Sequence, residues 1–257
     1  MGFHERYIKL QNSYLKWKNR KLYRKDAKEL EFLKAMVKCG VGCNMNKCVE
    51  YISHSKSERF QDLFVLAMVD FKSEGFFVEF GALDGFSISN SYLLEKKFGW
   101  NGILAEPARS CHSDLMKCRD VFIDFDCVWH TSNKKINFWE LSSLALSGTP
   151  LGYKKLQNKR PKAIKKQKEY QVSTVSLDDL LQRYNAPAKV DYLSIDTEGT
   201  ELEIIRSFNF KNYQFSVITI EHNFTSDRDE QFNILTSNGY RRILESYSGI
   251  DDWYILK

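Results

Sequence analysis

An α/β fold with a seven-stranded, mostly parallel sheet and an N-terminal helical extension is what this sequence of 257 residues predicts. Three observations predict it. Short apolar runs alternate with helix-forming stretches from about residue 59 onward, the pattern of a parallel sheet with helices on both faces. The run Phe76-Phe77-Val78-Glu79-Phe80-Gly81-Ala82-Leu83-Asp84-Gly85 reads as a strand, a glycine turn and the approach to a helix. That is the opening of a nucleotide-type site, where glycine lets a ligand come close to the backbone. The last two apolar runs flank Ser246-Tyr247-Ser248-Gly249, too close together for a parallel crossover, so they predict an antiparallel hairpin. A parallel sheet that ends in such a hairpin is the seven-stranded Rossmann-like topology.

In chain order, residues 1–56 are expected to form a basic helical extension ahead of a domain over 57–257. Between residues 7 and 37, apolar positions such as Leu10, Tyr14, Trp17, Leu30 and Leu33 recur loosely at spacings of three and four, which predicts one or two amphipathic helices. Residues 1–60 hold 14 Lys/Arg against 6 Asp/Glu, whereas the remainder holds 24 against 27. The basic excess therefore belongs to the extension, read either as a cap with a solvated face or as a docking surface for a membrane, a partner or an acidic polymer. Strands are expected at 76–81, 102–106, 121–128, 190–196, 215–221, 239–244 and 252–256. Helices are expected at 59–72, 89–98, 108–118, 176–184, 199–206 and 227–237. Residues 136–141 and 170–175 read as additional strand pieces.

The first strand's turn carries E-x-G-x-x-x-G rather than the dinucleotide spacing G-x-G-x-x-G, and Glu79 and Asp84 crowd it. Carboxylates there repel a diphosphate but suit a cationic, hydroxyl-rich ligand such as S-adenosylmethionine. Glu79, Gly81, Asp84 and Gly85 are accordingly expected to bind that donor. Asn101-Gly102-Ile103-Leu104-Ala105-Glu106 reads as a second strand ending in an acid, 21 residues after Gly85. Glu106 is expected to accept hydrogen bonds from ribose hydroxyls.

These segments, together with Gln61-Asp62, Ser89-Asn90-Ser91, Leu94-Glu95-Lys96 and Glu106-Pro107, resemble the FkbM family of S-adenosylmethionine-dependent methyltransferases. Later segments continue the resemblance: Ser176-Leu177-Asp178-Asp179-Leu180-Leu181, Asp191-Tyr192-Leu193-Ser194-Ile195-Asp196-Thr197-Glu198-Gly199, and Glu201. The likeness spans about residues 57–257 and leaves out the extension and a lysine-rich insert. It implies O-methylation, mostly of sugars and natural products, and does not specify the acceptor.

In open α/β sheets the ligand lies across the carboxyl ends of the strands, where strand order reverses. On the third strand Asp126 either faces the adenine amine or stands as an exposed acid. Asn90 either orients the donor or caps its own helix. The fourth strand ends in Ile195-Asp196-Thr197-Glu198-Gly199 and the fifth in Ile220-Glu221-His222-Asn223, two loops expected to face each other above the donor's methyl group. Methyl transfer to a hydroxyl needs an aligned acceptor and a base that removes its proton. Asp196 and His222 are the expected pair for that step, with Glu198 and Glu221 binding sugar hydroxyls. The same groups also resemble a cradle for Mg²⁺ or Mn²⁺, which would lower the pKa of the acceptor hydroxyl. The sequence leaves both mechanisms open.

Composition supports an enzyme with a sizeable core, since 43% of residues are hydrophobic. The start, Met1-Gly2-Phe3-His4-Glu5-Arg6, has no apolar stretch of the secretory kind, and Phe64 to Val69 is far shorter than the ~20 residues that cross a bilayer. A cytoplasmic location is expected, with the six cysteines as free thiols. Cys39, Cys43, Cys48 and His54 have no C-x-x-C pair and match no common zinc pattern, so no metal is assigned to them. Residues 154–168 carry eight Lys/Arg and no acid, read as a solvated loop or as a lid over an anionic acceptor. No two of the four prolines are adjacent, so the [DN]-P-P-[FYW] loop of base-methylating enzymes is absent and nucleic acid is not the expected substrate. Two rival functions remain: a catalytically silent methyltransferase-like module that docks a partner through the extension, and an RNA ribose O-methyltransferase.

Overall fold

The computed structural model describes residues 25–40, 43–159 and 164–257. The chain divides into two compact units, residues 1–41 and 42–257. In the first, residues 25–39 form a helix (α1) with Lys25 and Glu29 paired one turn apart at 3.7 Å. The amphipathic pattern expected before residue 25 lies outside the described residues. Among the described residues no helix is long and apolar enough to cross a membrane.

The second unit begins with α2 (Met45–Tyr51), started by Asn44, whose side chain accepts from the Lys47 N–H. A 3₁₀ turn (Ile52–His54) and α3 (Gln61–Met68) follow. The alternation then runs β1 (Phe76–Phe80), α4 (Tyr92–Phe98), β2 (Asn101–Ala105), α5 (His112–Cys118), β3 (Phe122–Asp124), β4 (Cys127–Val128), β5 (Lys135–Leu141), α6 (Pro150–Leu156) and β6 (Lys166–Val175). It closes with α7 (Leu177–Arg183), β7 (Lys189–Ile195), α8 (Glu201–Ser207), β8 (Gln214–Glu221), α9 (Asp227–Ser237), β9 (Tyr240–Ile243), α10 (Glu245–Ser248) and β10 (Asp251–Leu256).

Seven strands make the main sheet in the order β3-β2-β1-β7-β8-β10-β9. β10 runs antiparallel to both of its neighbours, and the pairs from β3 to β8 are parallel. The expected Rossmann-like sheet is therefore present, with β1 and β7 adjacent at the reversal of strand order. Both are buried because both faces are covered. On one face Val78, Ile103, Leu193 and Ile218 meet Leu180 and Leu181 of α7 and Ile204 and Ile205 of α8. Elsewhere in the core Phe64 of α3 stacks on Trp253 of β10, ring centroids 4.6 Å apart. Each such side chain contributes about 1.5–3 kcal/mol relative to exposure.

Three departures from the sequence reading have local causes. The single strand expected over 121–128 breaks at Phe125-Asp126. There the Asp126 N–H donates to Asp124 Oδ1 at 2.8 Å, and both carboxylates take Arg183, which turns the chain. Cys127-Val128 then leaves the main sheet to pair with Thr174-Val175 in a three-stranded sheet, β4-β6-β5. The lysine-rich stretch is not one loop. Thr149 caps α6 by accepting from the Gly152 N–H, Pro150 opens it, and Lys155 pairs with Glu203 and Asp227 at 3.0 and 2.7 Å. Strand β6 takes over from Lys166. Finally, the β9–β10 connection is a short helix, α10, rather than a tight hairpin turn.

Candidate active site

Two cavities open at the carboxyl ends of β1, β2, β7 and β8. The first encloses about 600 Å³ including its mouth, within the range of small-molecule sites, roughly 300–1,000 Å³. Its walls are Gly81 and Leu83, then Glu106 and Pro107, then Val128 and Phe138 from the small sheet. The second holds about 850 Å³ and is walled by Glu58, Arg59, Asn90, Glu221 and Asp251. The two share Ile88, Ala145, Asp196 and Glu198. They meet at the end of β7, where strand order reverses.

Gly81 is what lets the ends of β1 and β7 come together. Its φ of +74° lies in the left-handed region, and a Cβ there would run into the carbonyl oxygen of Asp196. Glu106 stands where the second strand ends, buried in the first cavity's wall. Its Oε2 accepts from the Leu83 N–H at 2.8 Å and its Oε1 from the Ala108 N–H at 2.7 Å. Burial pushes its pKa up to about 7 in spite of those two N–H donors, and Glu140 adds to the rise. Each oxygen keeps a second lone pair for a ligand hydroxyl.

At the junction Asp196, Glu198 and Glu221 bring carboxylate oxygens within 4.8 Å of one another. Asp196 is pushed well above the usual carboxylate range by burial, then by Glu198 and Asp251. Glu221 is raised in the same way by burial, Asp196 and Glu198. The loop that carries Glu198 is shaped by Glu201, whose Oε1 accepts from the Thr197 and Gly199 N–H groups, both at 2.9 Å. Helix α6 braces it from outside: a Cβ on Gly152 would overlap the Glu198 carbonyl oxygen. Asn90 lines the second cavity; its Nδ2 donates to Ser194 Oγ at 3.0 Å, and its buried Oδ1 has no partner.

Five expected site residues do not wall either cavity. Glu79 is buried and accepts from the Asn90 N–H at 2.7 Å and from the Ser89 and Ser91 hydroxyls, so it orders the 89–91 turn. Asp84 closes its own turn by accepting from the Phe86 and Ser87 N–H groups; although burial acts to raise it, the Ser87 hydroxyl and these donors hold it below the usual range. Gly85 makes room for Arg119, whose Cγ would lie 2.6 Å from a Cβ there. Asp126 is paired with Arg183 at 3.0 Å, and its neighbour Cys127 faces the cavity instead.

His222 is the fifth. Successive residues at a strand end point to opposite sides, and Glu221 takes the side of the cavity. The imidazole is therefore turned inward, with Nδ1 accepting from the Phe224 N–H at 2.9 Å and Nε2 3.8 Å from Asp252 Oδ1. Asp252 is itself held by Arg228 and Arg242. The pairing of Asp196 with His222 over the acceptor is not what the fold builds.

The Methyltransferase FkbM domain family matches residues 79–245. The chain belongs to the FkbM methyltransferase family. Among solved structures, methyltransferase FkbM from Methylobacillus flagellatus KT is 14% identical, with 71% of this chain and 43% of that chain covered and a TM-score of 0.42. This FkbM chain thus spans less than half the length of that protein. Precorrin-6y C5,15-methyltransferase from Geobacter metallireducens GS-15 is 13% identical, over 70% of this chain and 71% of that one, with a TM-score of 0.37. A fibrillarin/Nop5p complex gives 11%, 72%, 73% and 0.33. A search of curated proteins finds no match.

Flanking the matched residues 79–245, the second cavity holds residues that the sequence reading did not single out: Glu58, Arg59 and Asp251. Gln61 belonged to the family resemblance, and here its Nε2 donates to Asp251 Oδ2 at 2.9 Å. Burial pushes Asp251 up to about 6 despite that bond. The available signal was a pair of acids, Asp251 and Asp252, opening an otherwise apolar last strand.

Proposed function

We propose that this protein is an S-adenosylmethionine-dependent O-methyltransferase acting on a sugar hydroxyl of a glycan or glycosylated metabolite. One observation carries the reading: two ligand-sized cavities that meet at Asp196 and Glu198. The first suits the donor. Its apolar slot between Pro107, Val128 and Phe138 fits a flat base, Glu106 suits a ribose diol, and the carboxylates at the far end suit a sulfonium and an amino group. The second, polar and ringed by carboxylates, suits a hydroxyl-rich acceptor.

Bound in the first cavity, S-adenosylmethionine would supply an electrophilic methyl group for transfer to the acceptor oxygen, with the electron pair of the broken bond left on sulfur. Asp196 takes the acceptor's proton, since it faces both cavities and its raised pKa brings a carboxylate closer to a hydroxyl in basicity. Glu198 and Glu221 hold neighbouring hydroxyls and fix the line of attack. The same three carboxylates are candidate ligands for Mg²⁺ or Mn²⁺. The catalytic work is assigned to residues 57–257, with residues 1–56 as an extension.

Incubation with labelled donor and a panel of glycans, glycosylated metabolites and RNA tests the reading. Label on a sugar hydroxyl of a glycan or glycoside supports it. Donor binding without transfer to any of them would favour a silent binding module, and transfer to RNA alone would make the acceptor a ribose.

A further inference from the structure

The protein provides hydrogen-bond donors or cations for most of its buried carboxylates. Asp62 accepts from the Ser55 hydroxyl and the Leu63 N–H, Glu79 from the 89–91 turn, Glu106 from two N–H groups, Glu140 from Ser110 and Tyr170, and Asp252 from two arginines. Among the described residues two buried carboxylate oxygens have no partner, Asp178 Oδ1 and Glu221 Oε2. Asp178 has its other oxygen on the Asn209 N–H and stands away from the cavities. Glu221 is 5% exposed, and it lines the second cavity, where one of its carboxylate oxygens converges with those of Asp196 and Glu198.

We infer that Asp196, Glu198 and Glu221 form a binding site for one hard divalent cation, Mg²⁺ or Mn²⁺, between the two cavities. The spacing is that of ligands around such an ion. Oxygens ~2.1 Å from a common octahedral cation lie about 3–4 Å apart, and here one oxygen from each carboxylate lies within 4.8 Å of the others. A proton shared by two carboxylates would instead place their oxygens at hydrogen-bond distance, and Glu221 Oε2 has no such partner. The donor set is all oxygen, because His222 is turned away, so it suits Mg²⁺ or Mn²⁺ rather than Zn²⁺. Asn90 adds a neutral oxygen on the same cavity wall, its Oδ1 left free by the bond from Nδ2 to Ser194.

The cation site stands on this geometry; its use in lowering the pKa of an acceptor hydroxyl rests on the methyl-transfer reading above. The test is titration of the full chain, free of donor, with Mn²⁺ alone, followed by electron paramagnetic resonance and calorimetry. One saturable site is expected, weakened ~10-fold or more in Glu221→Gln and unchanged in Asp178→Asn. Both are near-isosteric, and a melting curve on each verifies that it folds. Affinity is expected to rise with pH as the carboxylates lose their protons. Absence of saturable Mn²⁺ binding, or equal binding by Glu221→Gln, overturns the site. If donor binding persists in that case, the cation site fails alone; loss of donor binding by the unaltered protein would instead sink the methyltransferase reading.

Discussion

Glu106 and Asp196 line one cavity and are tuned by different neighbours. Glu106 is buried but held by two backbone N–H groups, so its charge has a fixed geometry waiting for hydroxyl donors. Glu106→Gln keeps the shape, removes the charge and is expected to weaken donor binding by about 1–3 kcal/mol in calorimetry. Unchanged affinity would mean the ribose lies elsewhere. Asp196 is held by no comparable donors and is surrounded by acids, which favours proton uptake. Asp196→Asn is expected to lower turnover ~10²-fold or more, well beyond any loss of donor affinity. His222→Gln, buried against Asp252, is expected to shift the melting temperature more than the turnover. The reverse pattern in those two variants would return the proton transfer to the histidine.

Between elements, a single side chain ties the turn after β1 to the helices behind it. Arg119, just after α5, donates to the Gly85 carbonyl at 3.1 Å, to the Ser89 and Ser91 hydroxyls, and to Glu95 of α4. Those serines in turn hold Glu79 of β1. Arg119→Leu removes the one cation in this buried set and is expected to cost about 3–5 kcal/mol in chemical denaturation. A loss below about 1 kcal/mol would show that the network is not coupled. The order of strands and helices was legible in the sequence because strand interiors such as Val78, Leu193 and Ile218 sit in short, mostly apolar runs that suit a doubly covered sheet. That Glu106 and Asp196 line a cavity was legible because topology alone assigns strand ends to a ligand site. Orientation was not. Whether Glu221 or His222 faces the cavity depends on a one-residue phase at the end of β8, and the fates of Asp84 and Asp126 depend on turns that form hydrogen bonds only in three dimensions. Asp251 escaped because its cavity is closed by Gln61, 190 positions away in sequence.

For the whole molecule, the carboxylates gathered at the site set a stability cost that ligands relieve. Asp62 and Asp251 are raised to about 6 and Glu106 to about 7, each chiefly by burial, while burial raises Asp196 and Glu221 well above the usual range, with Glu198 adding to the rise of the first and Asp196 to that of the second. Between the ordinary carboxylate range and these raised values, the folded chain holds more protons than the unfolded one. Stability from these groups therefore falls as pH rises through that window. Glu140 works in the opposite sense: burial acts to raise it, but Tyr170 and Ser110 hold it down at about 2, so its contribution is complete before the window opens. Without ligand, the carboxylates' contribution to the melting temperature is thus expected to decline as pH rises from about 4.5 to about 7, against an opposite contribution from His112 and His222, whose pKa values burial lowers, and the decline is expected to be less steep in Glu106→Gln. Saturating Mg²⁺ should flatten the upper part of the curve, because a cation replaces the protons that the cluster would otherwise retain. A melting temperature that climbs across the window would mean that the acids at the junction are already ionised at low pH. The junction would then need a cationic neighbour that compensates them, and neither proton uptake by Asp196 nor the proposed site for a divalent ion would survive.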